Sequence, residues 1–449
     1  MATLQEPPAR PLEHPVLGEE RIRELMTVLR RARDERLVEV PVARVVGAVD
    51  KVARRLLDSG DPLRRAALGE LGPQAGLSDA MAEIILDRMA FDWTKERLLR
   101  LLESEFPDPL VLDGFRRGAM GGSLRALGFP LTFHLGAGTV PGVSVTSLVR
   151  ALLVKSSVLL KPGRGDVVLP VVFARGLEEE DPVLSESVAV LYWPGAGGAP
   201  GEVALRGADL VVAYGGDDTV RWVRQRLPAA TPLRAYRHRL GVGLLGRAAL
   251  GGEAGSSAAA AARAVAVFDQ RGCVSPHVLF VEEGGETDPV RWAALLARAF
   301  RDLEVSLPSG PLPPEQGAAL QQLRGWAEME EGAGRGVVHH GGGEAPWTVV
   351  FQPHGELEPT CLARTVRVIP VGDLHEAVAA MEGWRPYLQT VGVAGLGERE
   401  EELAESLARL GVSRMAPLDA VPWPPPWWHH DGDGPLRALV RWTDVEPEG

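Results

Sequence analysis

From about residue 128 onward the chain repeats one texture: a short apolar run, a glycine-rich loop, a helix-like stretch, then another apolar run. Pro130–Leu135 runs into Gly136-Ala-Gly-Thr-Val-Pro-Gly142, then a helix-like Ser144–Leu153, then the apolar Ser157–Lys161. Consecutive strands can lie parallel only if a crossover of a dozen or so residues joins them, and a helix is the usual crossover. The texture recurs. Ser187–Tyr192 ends on Trp193-Pro-Gly-Ala-Gly-Gly-Ala-Pro-Gly201, and Leu210–Tyr214 ends on Gly215-Gly-Asp-Asp218 before a helix-like Thr219–Leu227. These spacings predict an α/β chain with an open parallel sheet. In such sheets ligands lie beyond the carboxyl ends of the strands, where these glycines fall.

Helices are predicted ahead of this region. Ile22, Leu25, Met26 and Leu29 recur at helical spacing, as do Val45, Val46, Val49, Val52 and Leu56. Ala80–Phe91 and Trp93–Phe106 read as two more helices, and none of these segments carries a chemical motif. A second α/β region follows. Its strands are Val278–Glu282, Thr348–Phe351, Thr365–Pro370 and Gln389–Ala394; its helices are Asp288–Leu303, Asp373–Met381 and Glu398–Leu410. The tail holds Pro422-Trp-Pro-Pro-Pro-Trp-Trp428, stiff because each proline fixes its own φ, and a strand-like Leu436–Trp442.

Composition excludes several classes. A net charge of −12 argues against nucleic-acid binding. No window offers 18 uncharged apolar residues, so no membrane span is expected. The opening Met1–Arg10 lacks an apolar signal core. Two distant cysteines suit a reducing, cytoplasmic setting rather than a disulfide framework. The ten histidines show no metal-ligand spacing; His339-His340 and His429-His430 are adjacent, so their side chains diverge and are expected on the surface or in turns. No metal site is predicted.

Four features carry candidate chemistry. Cys273 stands between an alanine-rich helix-like tract and a strand-like run, beside Gly272. A thiolate there can attack a carbonyl; a buried, inert thiol is the alternative. The glycine turn at 195–201 could cradle phosphate or be an ordinary turn. Lys161 ends a strand, where an ammonium can reach a nucleotide's ribose or phosphate. Arg164 follows it, with a fork that suits a ribose 2′-phosphate, although both could be solvated loop cations. His238, in Tyr236-Arg-His-Arg-Leu-Gly241, can deprotonate a thiol if the fold brings one near; otherwise it is a surface histidine.

The ordered pieces Phe268-Asp-Gln-Arg-Gly-Cys-Val-Ser-Pro276, Val190-Leu-Tyr-Trp-Pro-Gly195, Val211-Val-Ala-Tyr-Gly-Gly-Asp217, Leu388-Gln-Thr-Val-Gly-Val393, His430-Asp-Gly432 and Leu439-Val-Arg-Trp-Thr-Asp444 resemble the aldehyde dehydrogenase superfamily. They are most similar to its acyl-CoA reductase branch, the reductase subunit of bacterial luminescence fatty acid reductases, from about Pro15 to Glu446. The resemblance implies an aldehyde dehydrogenase-like α/β fold. It would have an N-terminal helical region (1–108), a Rossmann-type NAD(P)-binding domain (109–240) and a catalytic domain (241–420). The tail (421–449) would be an oligomerisation element of a homo-oligomer.

The resemblance also implies roles. Cys273 matches the nucleophile, and Lys161 the lysine on the adenosine ribose. Gly215 and Gly216 match the turn beside the cofactor phosphates. His238 matches a general base that follows a Tyr-Gly pair, here Tyr236-Arg237. The family's Gly-Asn-Val-Pro reads Gly138-Thr139-Val140-Pro141, which puts Thr139 in the place of an oxyanion-binding asparagine. No glutamate stands at the water-activating position around Arg239–Gly243, which suits a reductase. The expected function is NADPH-dependent reduction of an acyl-CoA, of fatty chain type, to the aldehyde through an acylated Cys273. NADH is the other carrier, and an acyl-protein synthetase is an expected partner. NAD(P)-dependent aldehyde oxidation and a non-catalytic acyl carrier are the alternatives.

Overall fold

The structure, a computed structural model, describes residues 18–446 apart from 120, 196, 343 and 344. The signal-segment reading of residues 1–10, the start of the resemblance at Pro15 and Ala196 of the glycine turn lie outside the described residues. The chain forms two compact units. One comprises Met1–Ala75, Leu86–Tyr236 and Pro435–Gly449; the other comprises Gly76–Ile85 and Arg237–Gly434.

The first unit opens with helices α1 (Glu19–Glu35), α2 (Val42–Leu57) and α3 (Pro62–Ala75). Helix α4 (Asp79–Asp92) contributes to both units, and α5 (Lys95–Glu105) returns to the first. In α2 the valines at 42, 45, 46, 49 and 52 and Leu56 are all buried, as their helical spacing predicts. Strands β1 (Arg116–Arg117) and β2 (Ser123–Gly128) are antiparallel, and a late strand, Val440–Val445, pairs with β2. The central sheet contains β3 (Leu131–Leu135), β4 (Ser157–Lys161), β5 (Val188–Val190), β6 (Leu210–Tyr214) and β7 (Leu233–Tyr236) in the order β5-β4-β3-β6-β7. Every neighbouring pair is parallel. Helices α6 (Val143–Leu153), α7 (Val168–Glu180), the short α8 (Pro182–Ser185), α9 (Gly198–Gly207) and α10 (Asp217–Arg226) connect them. A parallel sheet covered on both faces needs continuous apolar strands, and β3, β4 and β6 are buried at every position. Leu131, Phe133, Leu135 and Leu159 pack against Ile22, Met26 and Leu29 of α1.

The second unit holds a seven-stranded sheet: β8 (Leu240–Leu245), β9 (Pro276–Glu282), β10 (Val337–His340), β11 (Thr348–Phe351), β12 (Thr365–Val371), β13 (Leu388–Ala394) and β14 (Arg414–Pro417). The order is β10-β11-β12-β9-β8-β13-β14, and β10 is an antiparallel edge. The alanine-rich α11 (Ala254–Ala266) and a helix at Pro289–Ser306 cover one face, around Trp292, Phe300 and Trp347. Leu374, Ala377, Met381, Leu403 and Leu407 cover the other.

The structure departs from the sequence expectations in instructive places. Val168–Glu180, to which the sequence assigns no element, is helix α7. Its Gly176 sits so close to α2 and α3 that an added methyl would stand 2.8 Å from Leu63 Cδ2. Packing on the helical layer overrides local β propensity there. Of the expected surface or turn places, His339 and His340 take the surface, half-buried and exposed respectively on edge strand β10 and paired with β11. The last strand begins at Val440 instead of Leu436, because the Glu105 carboxylate accepts the Leu436 and Arg437 N–H groups, each at 2.9 Å, and holds them out of the ladder.

Candidate active site

In the first unit the loops beyond the carboxyl ends of β3, β4, β5 and β6 carry Thr139, Lys161, Arg164, Gly195, Gly215 and Gly216. Two of these loops cross at glycines. A methyl on Gly138 would stand 2.8 Å from the Gly165 nitrogen and 2.9 Å from that of Arg164, and one on Gly163 would strike the Gly138 nitrogen. Only glycine permits that approach. The buried Asp166 pins the β3 loop from beneath. Its carboxylate accepts the Gly142 N–H at 2.7 Å and the Ser144 N–H at 2.9 Å, at the start of α6. Burial nevertheless pushes that carboxyl up to about 7. Thr139 rides on this pinned loop and is partly exposed.

Lys161 is 6% exposed, with its ammonium 5.6 Å from the Tyr192 ring centroid. Burial pulls its pKa down to about 8. Arg164 is exposed. The glycine turn is shorter than the sequence suggests, because α9 already begins at Gly198, while Gly195 keeps φ 71°. Gly216 caps α10, whose first turn carries Asp217 and Asp218. Two carboxylates there oppose a phosphate and favour a hydroxyl donor. On charge alone, the α10 terminus suits an anion less than the Lys161 ammonium does. A nucleotide ribose or phosphate held by this ammonium is expected to bind about ten- to a hundredfold more weakly to Lys161→Met, from the loss of one charged hydrogen bond. In the wild type, affinity should fall as pH rises through about 8, where the folded-state ammonium loses its proton. Fluorescence titration across pH 7–9 measures both effects.

In the second unit Cys273 follows three consecutive non-glycine residues in the left-handed region: Phe268 (φ 58°), Asp269 (φ 49°) and Gln270 (φ 64°). Such residues cost roughly 1–2 kcal/mol each, so the surroundings must enforce them. The buried Gln270 does so by bonding across to β12. Its amide donates to the Pro276 carbonyl at 2.9 Å and the Thr365 carbonyl at 2.6 Å, and its oxygen accepts the Thr365 N–H at 2.8 Å. Arg364, 1% exposed, grips Asp269 Oδ1 at 2.7 and 2.9 Å and Glu304 at 2.9 Å. Phe268 meets the Trp423 ring edge-on at 5.1 Å. The aromatic tail thus packs within its own unit.

Cys273 is partly accessible and packs by Ala264, Val274, Val421 and Trp428. Burial pushes the thiol up to about 12; the Asp431 charge adds to the rise, and Arg239 and Arg414 oppose it. His238 lies in the exposed link between β7 and β8, and no hydrogen bond joins it to Cys273 among the described residues. His277 is tied to Thr360 at 3.0 Å, and burial pulls it down to about 4, which makes it a neutral packing residue. The other cysteine, Cys361, is partly buried beside Thr365 at 3.8 Å. Glu282 is fully buried and bound through both oxygens to Arg399, each at 2.7 Å, so it is not a free base.

Sequence reasoning named neither Gln270 and Arg364 nor Asp431. Asp431 had one signal, its place in the matched His430-Asp-Gly432. Among the described residues, no group of three or more His, Cys, Asp or Glu side chains could hold a metal, and no helix is long and apolar enough to cross a membrane.

A family model described as acyl-CoA reductase (LuxC) matches residues 37–442. A "Long-chain acyl-protein thioester reductase" of Aliivibrio fischeri is 26% identical over 392 residues, covering 85% of this chain and 78% of that protein. The protein of the same name in Vibrio harveyi is 26% identical over 389 residues, with the same coverage. Among solved structures, an NADP-dependent glyceraldehyde-3-phosphate dehydrogenase from Bacillus halodurans, complexed with NADP, superposes with TM-score 0.72 at 14% identity. That match covers 96% of this chain and 92% of that one. Aldehyde dehydrogenase 21 of Physcomitrella patens gives TM-score 0.74 at 11% identity, covering 96% and 91%. The fold is that of an aldehyde dehydrogenase.

Proposed function

We propose, from the premise that this chain belongs to the acyl-CoA reductase (LuxC) family, that it reduces a fatty acyl thioester to the aldehyde through an acyl group carried on Cys273. The observation that carries this reading is the buried hydrogen-bonded frame that holds an accessible Cys273 just beyond a left-handed turn. The sequence led to acyl-CoA as the donor. The similar proteins are named for acyl-protein thioesters, so the donor proposed here is corrected to an acyl chain on a protein thiol. An acyl-protein synthetase that loads such a carrier remains the proposed partner, and a homo-oligomer the proposed assembly.

Cys273 Sγ attacks the thioester carbonyl carbon, and its proton passes to His238 in the proposed scheme. With a thiol held near 12, that proton must leave as attack occurs. The donor thiolate departs, takes up a proton and leaves an acyl-Cys273 thioester. Thr139 is the proposed side-chain donor to the carbonyl oxygen, helped by the Cys273 backbone N–H. A nicotinamide cofactor, when bound, would supply the hydride. The oxyanion left on the Cys273-bound carbon collapses to re-form C=O, expels Sγ as a thiolate that takes up a proton from solvent, and releases the aldehyde. Lys161 and the glycine crossing would hold the cofactor, and Arg164 is the proposed reader of a ribose 2′-phosphate, which favours NADPH. The occupied Glu282 and the carboxylate-free β8 support reduction over oxidation, since an acyl-enzyme meant for hydride should meet no water-activating base.

A labelled fatty acyl thioester tests the reading. Wild type is expected to retain label at Cys273, and Cys273→Ala to lose acylation and aldehyde formation by about 10³-fold or more. Equal labelling of Cys273→Ala would overturn it. Acyl-CoA and acyl-protein donors run side by side separate the two substrate classes.

A further inference from the structure

Helix α6 takes its N-terminal cap from another loop. The first N–H groups of a helix have no partner within it, and a side chain at the cap position usually supplies one. The cap position here is Gly142, at φ 94°, which has no side chain to give. Asp166 fills the place from 24 and 22 residues further along the chain. Its Oδ1 accepts the Gly142 N–H at 2.7 Å and its Oδ2 the Ser144 N–H at 2.9 Å. A serine, threonine or asparagine offers one acceptor atom for such a task; a carboxylate offers two. Asp166 is fully buried, and its own N–H closes a turn onto the Gly163 carbonyl at 3.0 Å.

This cap is the last of three ties between the β3 loop and the β4 loop. At the first, the Gly136 N–H donates to the Lys161 carbonyl at 2.8 Å, one step beyond the strand ladder. At the second, Gly138 lies against Gly163 and Gly165, so closely that a methyl on Gly165 would strike the Gly138 carbonyl oxygen. Thr139 falls between the second tie and the third. On the other loop Lys161 stands at the first tie and Arg164 inside the second. A crossing alone fixes a point and leaves the chain beyond it free to swing. The Asp166 bonds add a second fixed point on the far side of Thr139. We propose that Asp166 is a positioning residue that makes the two loops one body, so that a nucleotide held at Lys161 and Arg164 fixes the place of Thr139. This rests on the cofactor and oxyanion roles proposed above.

Hydrogen exchange tests the coupling without an acyl donor. Backbone amides within residues 140–146 are followed by peptide mass spectrometry, with and without NADP+ at a concentration that fluorescence titration shows to be saturating for each variant. Exchange reports local opening of a segment. In the wild type NADP+ is expected to slow these amides about fivefold or more, the lower end of ordinary coupling between sites. Asp166→Ala removes both acceptors and is expected to abolish that slowing. Asp166→Asn keeps one acceptor and is expected to restore part of it. A role in stability alone would speed exchange with and without nucleotide and leave the NADP+ effect in place. Exchange in β4 and β6 reports whether the unit stays folded. A full wild-type response in folded Asp166→Ala overturns the proposal. If that variant does not fold, Asp166→Asn decides, and an undiminished response there overturns it. A wild type that binds NADP+ while these amides do not respond sinks the coupling alone. A wild type that binds no NADP+ sinks the cofactor reading and the coupling with it, so the two failures are told apart.

Discussion

Arg364→Ala is expected to destabilise the second unit by about 3–5 kcal/mol, the usual range for removing one partner of a buried ion pair. Arg364 holds Asp269 and Glu304 together and also donates to the Leu307 carbonyl at 2.8 Å. Without it, Glu304 and Asp269 lose their shared guanidinium, Asp269 is left with Arg271 at 3.5 Å as its counter-charge, and it loses the short bonds that keep it left-handed. The turn that carries Cys273 then relaxes. Denaturant unfolding gives the stability change. Alkylation of Cys273 at fixed pH gives the local one, which should rise toward that of an unstructured cysteine. A lysine at 364 cannot make the paired contacts of the guanidinium and should rescue only part of the loss. Stability within about 0.5 kcal/mol of wild type would contradict the role given to this pair.

Gly163→Ala carries the second large expectation. Its φ is ordinary, −74°, so the residue is not needed for backbone freedom. It is needed for space: the added methyl would strike Gly138 and lie 2.5 Å from the Ala137 carbonyl carbon. These are backbone atoms, so relief requires one loop to move. The β3 loop is also pinned through Gly142 and Ser144 by Asp166. Overpacking of this kind costs about 1–3 kcal/mol. The larger effect is expected on binding, because the crossing places Lys161, Arg164 and Thr139. Affinity for the proposed nicotinamide cofactor should fall by about tenfold or more, while stability of the second unit stays unchanged. Nucleotide titration beside a thermal melt checks both.

Much of this arrangement was legible in the chain itself. Strands β4 and β6 match the expected Ser157–Lys161 and Leu210–Tyr214 residue for residue, because unbroken apolar runs ending at glycine or proline leave few other folds. The place of Cys273 between a helix and a strand, beside Gly272, was legible. What holds it there was not. Phe268, Asp269 and Gln270 carry no glycine to announce a left-handed backbone, and their enforcement comes from residues about ninety positions away. Asp431 reaches its place through Arg239 and Gln389, each distant in sequence. No local pattern encodes such bonds; they exist only once β8, β9, β12 and β13 have paired.

That dependence has a consequence for how the chain is made. Gln270 is fastened to Thr365, so the Cys273 loop cannot take its final form until β12 has left the ribosome and docked on β9. Val421 and Trp428, which pack on Cys273, follow later still, so Cys273 lacks its full frame for about 150 residues of elongation. Over that interval it behaves as an ordinary free thiol, open to whatever oxidants or electrophiles it meets. Vectorial synthesis thus sets a window of vulnerability that closes only when the last partners of the loop arrive.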